Sequence, residues 1–280
     1  MKAKKIIIYI ILIVTLLSII LSACVNNHKL TQRITIQSTD LTMNNEKLEE
    51  SVRIIKSRLN NIDINEFKIK SIPHENKIVI RFTEELKIDD ISPLLIQKGN
   101  LEFYTSFSRN EVKMLVIKNE ELFSILKPDS LGSEIGSVPV AKMHEIQNLI
   151  DPLELENKCK FVWNSNDTIL NLYALDPIPI VKGEDIENTY WEKIDNSGNN
   201  FCININLKQE VHNSWSIATR ENIGKSIAIV LDNKVLATPV VRAEIINGKC
   251  RITGDFSEME SKRFAILMNF KLPYTFQIIL

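Results

Sequence analysis

Gly224-Lys225-Ser226 has the look of the end of a phosphate-binding loop, in which a lysine ammonium meets phosphate and a hydroxyl meets magnesium. The full motif needs a glycine five positions before Gly224, and Thr219 stands there. The order of elements is also reversed: a phosphate loop leads from a strand into a helix, whereas here a helical pattern precedes and the strand 226–231 follows. His28, His74, His144 and His212 are scattered, with no pair one helical turn apart and no cysteine at zinc-ligand spacing. There is no Gly-x-Ser-x-Gly elbow, and Glu84-Glu85 and Asp89-Asp90 read as solvated charges at a turn and a helix start. These residues argue against an enzyme and imply no cofactor and no metal.

Cys24 carries a different chemistry. Lys2, Lys4 and Lys5 precede an unbroken apolar run, Ile6 to Ile20, which ends directly at Leu21-Ser22-Ala23-Cys24. That tetrad is similar to the bacterial lipobox, whose cysteine thiol takes up diacylglycerol. Residues 1–23 are then a lipoprotein signal peptide and 24–32 a polar tether, with Cys24 as the lipid attachment that makes the membrane a partner and places the chain in the cell envelope, facing the periplasm. The run is short against the ~20 residues that cross a bilayer, and an uncleaved signal anchor is the alternative. The formal charge is −1, and removing the first 23 residues leaves 31 bases against 35 acids, a charge of −4, which argues against a nucleic-acid partner. Cys159, Cys202 and Cys250 form no CxxC pair. Period-two alternation sets Cys202 on the Asn-bearing face of strand 201–207, opposite Phe201, Ile203 and Ile205, while Cys250 shares a face with Ile252. If those apolar faces meet in one core, free thiols are favoured over a Cys202–Cys250 bridge.

The elements that position these residues follow from periodicity. Strand 33–38, helix 44–60 with Leu48, Val52, Ile55 and Leu59 on one stripe, strands 67–72 and 77–82, a short helix 88–98 and strand 101–107 give the order of a ferredoxin-like split β-α-β unit. Residues 108–198 read as a looser, irregular insert with helices at 111–126 and 140–150 and strands at 160–163 and 168–175. The last part carries strand 201–207, helix 211–222, and strands 226–231, 235–241 and 249–253. Asn247-Gly248 is a hairpin signal, and Ser257 with Glu260 a capping box for a final helix to about 270. The fold class is α+β: a ferredoxin-like base at 33–107, the insert or connection at 108–198, and a second α+β unit at 199–280.

That last unit resembles the head subdomain of the first periplasmic domain of the SecD and SecDF family. The resemblance rests on Trp215-Ser216-Ile217-Ala218-Thr219, on Asn222-Ile223-Gly224-Lys225-Ser226 through Asp232-Asn233-Lys234-Val235, on Ala237-Thr238-Pro239-Val240-Val241, on Asn247-Gly248, on Ile252-Thr253-Gly254-Asp255-Phe256-Ser257, and on Leu272-Pro273. Arg58-Leu59-Asn60 and Gly99-Asn100-Leu101-Glu102-Phe103 look like the family's base subdomain. Gly224, Lys225, Asp232, Pro239, Gly248 and Gly254 are the family signature, read as architectural. The resemblance implies a non-catalytic protein that binds unfolded secreted polypeptide or Sec translocon subunits in protein export, with a structural envelope lipoprotein as the alternative. A client would lie near the edge of the sheet containing strand 201–207 or between the two α+β units. Departures limit the analogy: the chain stops at Leu280, seven residues beyond Pro273, Asp63 stands where a glycine is typical, and the lipid anchor replaces the first membrane helix. Proton-driven pulling is therefore not expected of this polypeptide alone.

Overall fold

The computed structural model describes residues 31–279 apart from 41, 117–119, 129–132, 154, 156, 166–167 and 195–199. Cys24, the tether and the apolar run lie outside the described residues, as does the expected boundary at 198.

The base is built on β1 (Gln32–Ser38), α1 (Asn45–Asn60), β2 (Phe67–Ile72), β3 (Lys77–Phe82) and α2 (Ile88–Ile96). Helix α1 starts where the Asn44 side chain accepts a hydrogen bond from the Lys47 N–H at 3.0 Å, satisfying one donor of the first turn. Its buried stripe, Leu48, Ile55 and Leu59, meets Ile34 and Ile36 of β1 and Ile78, Ile80 and Phe82 of β3. Pro93 lies inside α2 rather than in its first turn; the carbonyl it leaves without a donor belongs to Asp89, an exposed residue.

One strand departs from the expected ferredoxin-like unit. The antiparallel base sheet runs β13–β1–β3–β2, and its fourth position is filled by β13 (Phe276–Ile279), not by β4 (Leu101–Phe107). Ile278 stands opposite Ile36, and Phe276 joins the base core. Strand β4 enters a second sheet, where it pairs with β10 (Ile227–Leu231) from Leu101 opposite Leu231 to Thr105 opposite Ile227. The alternating pattern of 101–107 suits either sheet, and the left-handed turn at Gly99 (φ +81°) sends it to the second.

The stretch 108–198 is not irregular. It carries α3 (Arg109–Leu115), α4 (Glu120–Ile125), β5 (Gly136–Pro139), α5 (Met143–Ile150), β6 (Lys160–Ser165), β7 (Ile169–Leu175) and β8 (Ile186–Lys193). A capping box between Ser108 and Glu111 starts α3, and α3 and α4 stand where a single helix 111–126 was expected. Val112, Leu122, Leu126, Ile146 and Leu172 form a core of their own. Strands β5, β6 and β7 extend the second sheet, whose order is β11–β10–β4–β7–β5 with β6 also on β7, β11 being Lys234–Ala237.

The third sheet is β12–β9–β8, with β9 at Phe201–Leu207 and β12 at Lys249–Phe256. Its inner face, Ile203, Ile205 and Ile252, packs on Phe103, Ile227 and Ile229 of the second sheet, together with Trp215 from α6 (His212–Glu221) and Met268 from α7 (Glu258–Asn269). The Ser257–Glu260 capping box opens α7 as its spacing predicts. Asn247-Gly248 makes a turn but no β11–β12 hairpin: β11 ends at Ala237, and β12 pairs with β9 instead. Pro239 offers no N–H to continue the ladder, and β10 and β11 slip register between Ile229 and Val230.

Base and head meet at Arg58. Its side chain is 0% exposed. The guanidinium donates to the carbonyl of Phe270 at 2.6 Å, of Leu94 at 3.0 Å, of Gln97 at 2.7 Å and of Lys98 at 3.0 Å. These are carbonyls at and beyond the C-terminal ends of α2 and α7, which no helix N–H can reach, so one planar cation closes both helices. Burial pushes the group down to about 9, with the charge of Asp232 working against that shift. Asp232 sits in the β10–β11 turn with Asn233, both left-handed at φ 49° and 63°. Its carboxylate accepts from the N–H of Gly99 at 3.0 Å and of Asn100 at 2.8 Å. Its own N–H donates to the Asn100 carbonyl at 3.0 Å. Asp63, also left-handed at φ 66°, accepts from Lys262 of α7 at 2.7 Å, a second tie between base and head.

Two glycine substitutions separate backbone strain from steric exclusion. A Cβ on Gly224 (φ +83°) meets nothing within 4 Å, whereas one on Gly99 lies 2.0 Å from the Leu267 carbonyl oxygen. Gly224→Ala is expected to cost about 1–2 kcal/mol, the left-handed term alone. Gly99→Ala adds an overpacking cost and should lose about 3 kcal/mol or more in urea unfolding. Equal losses would show that the close approach at Gly99 does not matter.

Candidate functional site

Helix α6 places Trp215 and Thr219 four residues apart, on one face and both buried. Trp215, 4% exposed, stacks against Phe103 with ring centroids 5.3 Å apart and 31° between planes. The helix ends where Asn222 Nδ2 donates to the Ala218 carbonyl at 2.8 Å, and Gly224 then turns the chain towards β10.

After β11, residues 238–246 run as an irregular arm across the head. The Gly224 N–H donates to the Val241 carbonyl at 2.9 Å, the Val241 N–H to the Lys225 carbonyl at 2.9 Å, and the Ile227 N–H to the Pro239 carbonyl at 3.1 Å. Further along, the Ile245 N–H donates to Thr219 Oγ1 at 3.0 Å, and the Ser216 hydroxyl donates to Glu244. The arm is thus fastened to the α6–β10 turn at one end and to α6 at the other.

Between the arm and the two sheets lies a cleft of about 310 Å³, walled by Phe103, Trp215, Ile227, Ile229, Val241 and Ile252. Trp215 is one of the lining residues, and its indole N–H, itself buried, has no hydrogen-bond partner among the described residues. Burial pushes the Cys250 thiol beside the cleft up to about 12; the Trp215 N–H acts weakly the other way, over a contact that falls outside hydrogen-bond geometry. Such a thiol is neutral at physiological pH and is an apolar wall rather than a nucleophile. An unpaired buried N–H costs about 1–3 kcal/mol, and a shift of the ring that let a ligand carbonyl meet it would return about 1 kcal/mol net. The cleft can therefore take an apolar side chain of an extended ligand.

The signature residues surround this arrangement without lining it as reactive groups. Gly224 and Lys225 hold the arm through their backbones, Pro239 accepts from β10, and Asp232 closes the base–head junction. Gly248 is buried against the His212 ring at the turn into β12, and exposed Gly254 lies in β12 near the Phe256 ring. Gly224-Lys225-Ser226 leaves a helix and enters a strand, with the Gly224 N–H already donated. Cys159, Cys202 and Cys250 are free thiols, and Cys202 and Cys250 stand on opposite faces of their sheet. The Asn-bearing face is more covered than expected: Arg251 reaches across to pair with Glu192 and donates to Asn204 at 2.9 Å, leaving Asn204 and Cys202 buried. Strand β9 is the middle strand of its sheet, with one side taken by β8, so the free edges belong to β8 and β12. Among the described residues no helix is long and apolar enough to cross a membrane.

The class these features define is a two-lobed α+β domain in which a ferredoxin-like base carries a sandwich-like head. Residues 161–271 match the family model described as SecDF, P1 head subdomain. The SecD subunit of the protein translocase from Aquifex aeolicus is 34% identical over 96 residues, covering 34% of this chain and 19% of that protein. The SecD of Sebaldella termitidis is 31% identical over 142 residues, covering 50% of this chain and 33% of that protein. The chain thus spans about an eighth to a third of the length of the curated relatives it matches. A solved structure described as a membrane component SecDF that enhances protein export covers 89% of this chain and 98% of its own, at TM-score 0.51 and 19% identity. SecDF in a super-membrane-facing form matches at TM-score 0.53 and 21% identity over 89% of this chain and 29% of its own. The chain is similar to the first periplasmic domain of SecD and SecDF, in sequence over the head and in fold over most of its length.

The hold of Thr219 on the arm is testable by a near-isosteric change. Thr219→Val removes the acceptor of the Ile245 N–H, and is expected to cost about 1–2 kcal/mol. It should also raise amide exchange at Ile245, while Thr219→Ser restores protection. Unchanged exchange at Ile245 in Thr219→Val would show that the arm is held elsewhere.

Proposed function

We propose that this chain is a non-catalytic envelope protein, lipid-anchored through Cys24 and facing the periplasm, that binds extended polypeptide in the head cleft and acts beside Sec translocon subunits in protein export. The observation that carries the reading is an apolar cleft lined by Trp215, whose own buried N–H has no partner among the described residues. That pairing suits a main chain: a carbonyl recurs at every residue of a client, while the apolar wall accepts many side chains, so recognition is broad rather than sequence-specific. The likeness to SecD and SecDF supports the setting in export. The apolar run ending at Leu21-Ser22-Ala23-Cys24 supports the anchor. A structural envelope lipoprotein that kept the fold without a transport role is the competing outcome.

The test is hydrogen exchange on the full chain, with and without an unfolded, signal-bearing polypeptide. Protection is expected in 239–252 and at the β12 edge, and Trp215→Phe should weaken binding by about fivefold to tenfold, the worth of one net hydrogen bond. No change in protection anywhere in 199–256 at saturating polypeptide would overturn the polypeptide reading and favour the structural one.

A further inference from the structure

The base sheet has two faces of opposite character. One buries Ile34, Ile36, Ile78, Ile80 and Phe82 under the helices. By strand alternation the other presents the residues between them. In its first cross-strand row Arg33 stands opposite Arg81, and Arg81 opposite Lys68; the next row brings Thr35, Val79 and Lys70 together. Arg33, Lys68, Lys70 and Arg81 are all exposed. Among the described residues none of the four is in an ion pair, whereas Lys77, one row further on, is paired with Glu75. An open hollow of about 740 Å³ runs over this face and around the β2 edge.

Lysines on the edge strand β2 guard that edge against pairing, but the fold does not call for Arg33 opposite Arg81 on the two inner strands. Like charges directly opposite on neighbouring strands destabilise a sheet, and acidic or neutral residues at any of these positions would relieve it. The row stands out further because the whole chain is slightly acidic, at −1. Its place in the chain supplies the partner. Arg33 lies in the first described strand, nine residues after Cys24. Nine residues span at most about 32 Å even when fully extended, so the face cannot be far from whatever surface holds Cys24 or the apolar run before it. Cations close to an anionic bilayer surface contribute about 1 kcal/mol each, and the attraction fades within roughly 8 Å at physiological salt.

We propose that the exposed face of the base sheet, centred on Arg33, Lys68, Lys70 and Arg81, docks on the anionic lipid headgroups of the membrane that holds the N-terminal segment. This rests on the membrane attachment proposed above, though on either form of it, acylated Cys24 or an uncleaved anchor. Docking fixes the base against the bilayer and leaves the head, with its cleft, turned outward.

The experiment is lysine acetylation footprinting, read by mass spectrometry, on the full chain reconstituted into phosphatidylcholine vesicles with and without phosphatidylglycerol. Lys68 and Lys70 are expected to be protected about fivefold or more in the anionic vesicles, the worth of one cation at the surface. Exposed Lys249 of the head should label equally in both. High salt should abolish the protection, and Arg33→Gln/Arg81→Gln should return Lys68 and Lys70 to their phosphatidylcholine level while the urea midpoint stays the same or rises. Equal labelling of Lys68 and Lys70 in both vesicles, with the chain floating with each, would overturn the docking surface and leave the anchor standing. A chain that floats with neither vesicle would overturn the attachment itself. Protection of these lysines by unfolded polypeptide without anionic lipid would assign the face to polypeptide and also overturn the inference.

Discussion

A buried cation, Arg58, stands at the centre of the junction between the two lobes. Arg58 belongs to the base by sequence, yet its donors serve carbonyls at the ends of α2 and α7, one helix from each lobe. Moving a guanidinium out of water is costly, and removing one partner of such a buried arrangement typically costs about 3–5 kcal/mol, since it leaves groups with neither water nor partner. The carboxylate of Asp232 lies on the head side of the same junction and takes the N–H groups of Gly99 and Asn100. The chain between Lys98 and Asn100 is thus held from both directions, Lys98 by the base arginine and Gly99-Asn100 by the head aspartate. Gly99 is needed there because the Leu267 carbonyl leaves no room for a side chain.

From that junction the rest of the architecture follows. With Gly99 turned left-handed, 101–107 is delivered to the head, where it becomes the partner of β10 and lays Phe103 beneath Trp215. The vacated position in the base sheet is filled by β13, so the chain returns to the base only after building the head. Ile266 and Leu267 of α7 pack with Ile62 and Leu94 of the base, which places an apolar contact beside the polar one. The cleft inherits its shape from this arrangement: β4 and β10 form one wall, β12 the other, and the arm 238–246 closes the side that neither sheet covers.

Much of this was legible in the sequence, and the failures have a common cause. The α+β class, the strand and helix positions of the base and the capping box at Ser257 all follow from local periodicity and local hydrogen bonds, and they stand in the structure. Partner choice is not local. Strand 101–107 alternates in the same way for either sheet, and Asn247-Gly248 turns the chain whether or not its flanks pair. Insert helices such as α4 are too short to declare themselves by periodicity. Arg58 carried no sign of its role, because nothing in its neighbours announces four distant carbonyls. The Trp215 N–H was equally silent, since an unpaired donor is known only once its surroundings are. Asp63 was a visible departure from the family pattern, and its left-handed backbone with the Lys262 contact accounts for how an aspartate serves at a glycine-like position.

Arg58 and Asp232 act as one unit across the base–head junction. A double-mutant cycle with Arg58→Met and Asp232→Asn, followed by urea unfolding of the folded domain, measures that directly. Coupling of at least about 1 kcal/mol between the two substitutions is expected, because each removes a hold on the same Lys98–Asn100 segment. Losses that add to within ~0.5 kcal/mol would mean that the two charges hold the junction independently, and would contradict their acting as one unit.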